Sequence, residues 1–366
     1  MNVRKPRRPT GANTRKLRPN VRTPRVLAAA SLALLLGLAA TGCAAGSGGT
    51  ASGAADAAAA CGPSTMAVTS NDVDPLKPAP TPKLPVTVTS ADGRKVTVKA
   101  ARRVLALNLY GSLSEIVFSL GLGGRVVGRD ASTTFPAARS LPLVTNQGHD
   151  VSAEAVMRLD PDVVLADKSI GPPEALDQVR AAGIPVVMVG DEQTLPAVGE
   201  HITAVAEALG VPAAGRALND RVTRQIDAAK AAAPKSDKPL RVAFLYLRGT
   251  AGVYLIGGKG AGSDAMIEAI GARDAGTAAG LAGFRPLTSE GMINAAPDVL
   301  LVMSAGLKSV GGVPGLLKLP GIAQTPAGRN RRVIDADDGT LLNFGARTGE
   351  TIAALAKALH KPCGTP

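Results

Sequence analysis

Two stretches of this chain repeat one another. Val151 to Ala166 reads VSAEAVMRLDPDVVLA, and Leu287 to Val302 reads LTSEGMINAAPDVLLV. They align without a gap at a constant offset of 136 residues. Ser152 and Thr288 stand where a hydroxyl caps a helix, and Glu154 and Glu290 fall in the first turn, where a negative charge suits the helix dipole. A Pro-Asp pair then leads into an apolar run of strand length. A helix–turn–strand unit repeated so far apart predicts two similar α/β lobes with mainly parallel central sheets. The 366 residues suffice for two such domains, and 45% apolar content supplies their cores.

The rest of the chain fits this frame. Val86 to Lys99 alternates around Asp92-Gly93 and predicts a hairpin. Strands are expected at Val104–Asn108, Arg125–Gly128, Val163–Ala166 and Ile184–Val189. Ser112 or Ser114 can cap a helix reaching Leu120, and Pro172-Pro173 opens another to Ala182. Leu195 to Ala233 is helix-compatible, with an interruption at Gly210-Val211-Pro212, and predicts one long connecting helix that acts as a stiff hinge. Beyond it come strands Arg241–Gly249, Val253–Ile256, Val299–Met303 and Arg332–Asp335, and a closing helix Thr348–His360. The expected boundaries are 84–194 for the first lobe, 195–236 for the connector and 237–366 for the second lobe.

The net charge of +12 is concentrated at one end. Residues 1–42 carry nine Lys or Arg and no acid, which leaves 32 basic against 29 acidic residues elsewhere. Nucleic-acid binding is therefore set aside. The basic stretch precedes the apolar run Val26–Ala40, and 1–42 reads as a secretory signal of Sec type, with the Arg7-Arg8 pair too remote for a clear Tat signal. Ala40-Thr41-Gly42-Cys43 resembles a bacterial lipobox, although Ala40 replaces the usual Leu; Cys43 would carry the lipid that anchors the protein at the outer face of the cell membrane. Residues 43–83, rich in Gly, Ser, Ala and Pro, read as a flexible tether. Outside the cytoplasm Cys61 and Cys363 are expected to form a disulfide.

Two positions carry candidate chemistry. Tyr246 and Arg248 end a mostly apolar strand and share one face at its carboxyl end, where α/β sheets place ligands. A guanidinium beside a phenol favours the phenolate, a hard ligand for ferric iron and a known axial ligand of haem. The plain alternative is a surface tyrosine and a solvated arginine. His149 lies in the loop Thr145–Asp150 between strand and helix, so it can be a ligand or a hydrogen-bonded loop residue. His201 and His360, in Ala-rich helical stretches, are expected at the surface. The run Gly257–Ser263 lacks the Gly-Lys-Ser/Thr of a phosphate-binding loop and is expected to form a tight turn. No catalytic triad, nucleotide motif or zinc spacing is present, so the chain reads as a binding protein and not an enzyme.

Taken together, these residues resemble the substrate-binding lipoproteins of bacterial ABC importers, and more narrowly the haem-binding component of actinobacterial haem importers, from about Leu84 to His360. The marks are the loop Asn146-Gln147-Gly148-His149-Asp150, the strand end Tyr246-Leu247-Arg248, the Gly257–Gly262 turn and Gly171-Pro172-Pro173. The resemblance implies a class III periplasmic-binding-protein fold. It also implies ferric haem in the cleft, held by His149 and Tyr246, with Arg248 bonded to the tyrosine. Glu154 and Glu290 would meet arginines of the membrane permease, whose ATPase supplies the energy. A monomer is expected. The same fold binding a ferric siderophore or cobalamin is the nearest alternative, with the shortage of aromatics (no Trp, three Tyr, five Phe) against the first. A haem enzyme is disfavoured because two protein ligands leave iron no open position.

Overall fold

The two repeated segments fold alike. The computed structural model describes residues 62–146 and 148–361. Cys43, Cys61, Cys363 and the signal segment lie outside the described residues. Strands Val163–Ala166 and Val299–Met303 are buried at every position and each is the middle of a parallel trio. In the first lobe the neighbours are Val104–Leu107 and Val186–Met188. In the second they are Arg241–Arg248 and Val333–Ala336. The second sheet is then extended by two antiparallel strands, Val253–Gly257 and Phe284–Pro286.

The repeated residues have repeated physical roles. Ser152 Oγ accepts the N–H of Ala155 at 3.2 Å and Thr288 Oγ1 accepts that of Gly291 at 3.0 Å, which caps helices Ala153–Arg158 and Ser289–Ala295. Asp162 Oδ2 accepts the N–H groups of Arg102 and Arg103 at 2.7 and 3.0 Å, and Asp298 Oδ2 accepts that of Arg241 at 2.9 Å. Each carboxylate thus fixes the lead-in of the adjacent strand. Asp160 and Ala296, also at equivalent positions, both adopt left-handed backbone, with φ 44° and 40°.

The connector departs from the expected single helix. It is two helices, Leu195–Ala208 and Pro212–Ala232, packed against each other. The break is at Gly210, whose φ of 68° is left-handed; a Cβ there would stand 2.5 Å from the Lys83 carbonyl oxygen. Ile202, Leu209 and Leu218 are fully buried, and one apolar cluster runs from Val104 through these helices to Val242, Phe244 and Leu355. Full burial of each such side chain is worth about 1.5–3 kcal/mol, so the connector belongs to the core. His201 belongs to it too: it is only 3% exposed, against the surface position expected from sequence. His360 is half-buried with Nε2 3.0 Å from the Ile270 carbonyl.

Three further expectations change. Residues 62–83 are not a free tether. Ser64–Thr65 pairs parallel to Val333–Ala336 at the edge of the second sheet, Met66 is buried, Leu76 N–H donates to Ser119 O, and Lys83 N–H donates to Gly210 O. This strap crosses from one lobe to the other because its backbone groups find fixed partners on both. Arg125–Gly128 makes a single isolated bridge, Val126 to Val104, and not a strand. Helix Ser112–Val117 is preceded by left-handed Gly111, with Ser112 and Ser114 buried inside the helix and not capping it.

Candidate functional site

His149 is set at the tip of a short hairpin, Thr145–Asn146 against Asp150–Val151. Val151 N–H donates to Gly171 O at 2.6 Å, which ties the hairpin to the turn before Pro172. Gly148, with φ 96°, makes the tight turn possible. The His149 Nδ1 atom is buried and has no hydrogen-bond partner. Burial, then the positive charge of Arg248, pushes the imidazole pKa below its ordinary value; Asp150 opposes this. A neutral imidazole with an uncommitted nitrogen is the form that ligates a metal.

Tyr246 and Arg248 come from the other lobe. They share a face of their strand as the alternation requires, and the Arg248 guanidinium carbon lies 4.4 Å from the centre of the Tyr246 ring. Contact is therefore with the ring face, where the resemblance implied a bond to the hydroxyl. Arg248 Nη1 donates to Leu247 O at 2.9 Å and Nη2 is 3.6 Å from Asp338. Phe284 packs against Tyr246 as well, with ring centroids 6.1 Å apart and planes tilted by 60°.

All three residues line one cavity between the lobes, with a volume of about 240 Å³. Leu109, Tyr110, Ser132 and Thr134 form the wall from the first lobe, and Met303, Asp338 and Leu342 the wall from the second. Sequence reasoning missed Tyr110, although it follows strand Val104–Leu107 at the carboxyl end, the same placement that singled out Tyr246. Its phenol pKa is raised by burial and by Asp167. Beneath it, buried Asp130 accepts the N–H groups of Asn108 and Thr133 at 2.9 and 2.8 Å and so fixes the wall loop. Burial pushes the Asp130 pKa to about 6. Gly111, left-handed at φ 72°, lets that loop close in; a Cβ there would be 2.7 Å from the Ser132 carbonyl oxygen.

The two lobes are also locked together. Glu115 in the first is 1% exposed and accepts from Arg347 of the second through Nε and Nη2 at 2.9 and 2.8 Å, and from its backbone N–H at 2.9 Å. At the cavity rim a Cβ on Gly339 would stand 2.5 Å from Thr134 Oγ1. Glu154 and Glu290 lie elsewhere, exposed on the two repeated helices. A larger cavity of about 630 Å³ lies between the connector and helix Ser263–Ala269. It gathers no unpartnered buried polar atom, so its size alone makes it no candidate for chemistry.

Among the described residues no three His, Cys, Asp or Glu side chains come together to hold a metal ion. One imidazole and one phenol lining the same cavity are too few ligands for a bare ion. They suit a metal whose other positions are already filled by its own carrier.

The periplasmic binding protein family matches residues 108–340. The uncharacterized ABC transporter substrate-binding lipoprotein YvrC of Bacillus subtilis is 29% identical over 280 residues, 75% of this chain and 86% of that one. The solved structure of heme binding protein HmuT superposes with a TM-score of 0.80 at 38% identity, over 84% of this chain and 99% of that one. Variants of HmuT with one His, one Tyr and one Arg replaced by Ala have also been solved, the Tyr and Arg two residues apart as Tyr246 and Arg248 are. Periplasmic heme-binding protein RhuT of Roseiflexus sp. RS-1 gives a TM-score of 0.68 at 44% identity, over 72% of this chain and all of that one. With two α/β lobes bridged by helices and a cleft between them, the chain belongs to the periplasmic binding protein family.

Proposed function

We propose that this protein captures ferric haem outside the cell membrane and passes it to an ABC permease. The observation that carries the reading is the meeting, in one inter-lobe cavity, of an imidazole with an unpartnered nitrogen and a phenol overlaid by a guanidinium. His149 and Tyr246 would bind the iron from opposite sides, one from each lobe, so that ligation and lobe closure are one event. Arg248, stacked on the Tyr246 ring, places a positive charge beside the phenol. The similarity to HmuT and RhuT supports haem as the ligand.

Ligand sites for small molecules commonly span about 300–1,000 Å³, above the 240 Å³ found here. Admission of a macrocycle therefore requires the rim at Gly339 and Thr134 to part, while the Glu115–Arg347 pair and the packed connector keep 84–194 and 237–366 joined and the Cys43 lipid holds the whole at the membrane. Glu154 and Glu290 would face the permease. Titration of the soluble domain with ferric haem, cobalamin and a ferric siderophore tests the ligand. Saturable binding of haem alone is expected; binding of either competitor without haem would overturn it.

A further inference from the structure

Four large hydrophobic side chains are exposed among the described residues: Leu143 at 49%, Met157 at 39%, Val253 at 37% and Ile293 at 51%. Single exposed apolar residues need no explanation, but gathered ones mark interaction surfaces. These are gathered. Met157 lies one turn after Glu154 and Ile293 one turn after Glu290, at equivalent positions of the internal repeat. Residues three apart are neighbours on a helix surface, so each acid has an apolar companion. Leu143 precedes Val144, whose carbonyl accepts the N–H of the capping residue Ser152. Val253 precedes Tyr254, whose carbonyl accepts the N–H of Leu287, next to the capping residue Thr288.

The two patches differ in charge. Arg158 Nη2 donates to Glu154 Oε1 at 2.6 Å, one turn along the same helix. The equivalent residue in the second lobe is Asn294, and Glu290 makes no ion pair among the described residues. Glu154 is therefore already matched by a cation, whereas Glu290 is not.

Resting on the reading that these glutamates face an ABC permease, we propose that docking uses a mixed patch on each lobe, acid beside apolar, and that the second lobe is the stronger anchor. The partner surface this fits is a twofold-repeated one, each half offering a cation beside an apolar socket. A cation of the partner must compete with Arg158 for Glu154 but finds Glu290 uncommitted. Ile293, the more exposed of the two helix hydrophobics, has more surface to bury.

Binding of the full chain to its permease–ATPase complex in lipid nanodiscs tests this, with haem binding as the check on folding. Ile293→Ser should weaken docking about fivefold, from burial of half an isoleucine side chain. Met157→Ser should weaken it less, Glu290→Gln should exceed Glu154→Gln in effect, and Arg158→Asn should tighten docking. If the glutamine variants lose docking while both serine variants and Arg158→Asn bind as wild type does, the mixed, unequal patch is refuted and the permease reading stands. If the glutamine variants also bind normally, the permease reading itself fails and this proposal with it.

Discussion

The guanidinium of Arg248 sits over the ring of Tyr246 and beside the carboxylate of Asp338, 4.4 Å and 3.6 Å away respectively. Asp338 Oδ2 in turn accepts the N–H of Ala305 at 2.9 Å. The carboxylate is thus anchored to the second lobe and steadies the cation over the ring. A stacked guanidinium is worth about 0.5–1 kcal/mol when exposed and about 2 when desolvated. Replacing Asp338 by Ala should free Arg248 and weaken ligand binding severalfold, less than Arg248→Ala does. Equilibrium haem titration of the two variants checks the order.

The His149 imidazole supplies a pH dependence whose direction is fixed. Its pKa is held below the ordinary value by burial and by Arg248. With His149 as the proposed ligand, binding should persist at neutral pH, where the ring is uncharged, and be lost as pH falls through the lowered pKa. Removing the charge with Arg248→Gln should raise that pKa and move the acid limb of haem binding to higher pH. Haem binding measured against pH in both proteins, with NMR titration of the His149 ring, reads this directly. An unchanged acid limb would remove the coupling between the two residues.

The Glu115–Arg347 pair predicts a large loss of stability. Glu115 is buried and the Arg347 side chain is 11% exposed, so Arg347→Met would leave a buried carboxylate without its cation. Breaking a buried pair from one side costs about 3–5 kcal/mol. The double variant Glu115→Leu with Arg347→Met should recover most of that, because no buried charge is left uncompensated. Urea unfolding of the single and double variants provides the comparison.

Of the two left-handed repeat positions, Asp160 and Ala296, the alanine suits its backbone less. Its φ of 40° is left-handed, a conformation costing an alanine roughly 1–2 kcal/mol. Ala296→Gly should raise stability by about 1 kcal/mol and Tm by about 1–2 °C. Asp160→Gly should gain less, because Asp tolerates this region better. Calorimetry of the two variants distinguishes them.

What could be read from sequence and what could not divides along contact distance. The capping hydroxyls Ser152 and Thr288, the Pro-Asp turns and the buried strands announce themselves locally, since their partners are a few residues away. Tyr246 and Arg248 share a face by strand alternation alone. The burial of His201 has a local sign: Val198, Ile202 and Val205 flank it at helical spacing and mark a buried face. Glu115 and Arg347, by contrast, meet across 232 residues, and neither carries any local sign of the other. The strap at 62–83 was hidden for a related reason. Its composition forms no helix or strand pattern, and its order comes from backbone groups pairing with Ser119, Gly210 and Asp335. The position of Arg248 over the ring, and the help it receives from Asp338, depend on rotamers that no pattern encodes.

The central claim is that iron is held between His149 and Tyr246. The most direct measurement is the visible and electron paramagnetic resonance spectrum of the ferric haem complex for the wild-type chain, Tyr246→Phe and His149→Ala. The account predicts a one-to-one complex with a distinct ferric spectrum in each: loss of phenolate character in Tyr246→Phe, and loss of the imidazole signature in His149→Ala with the phenolate retained. Identical spectra in all three proteins would contradict it.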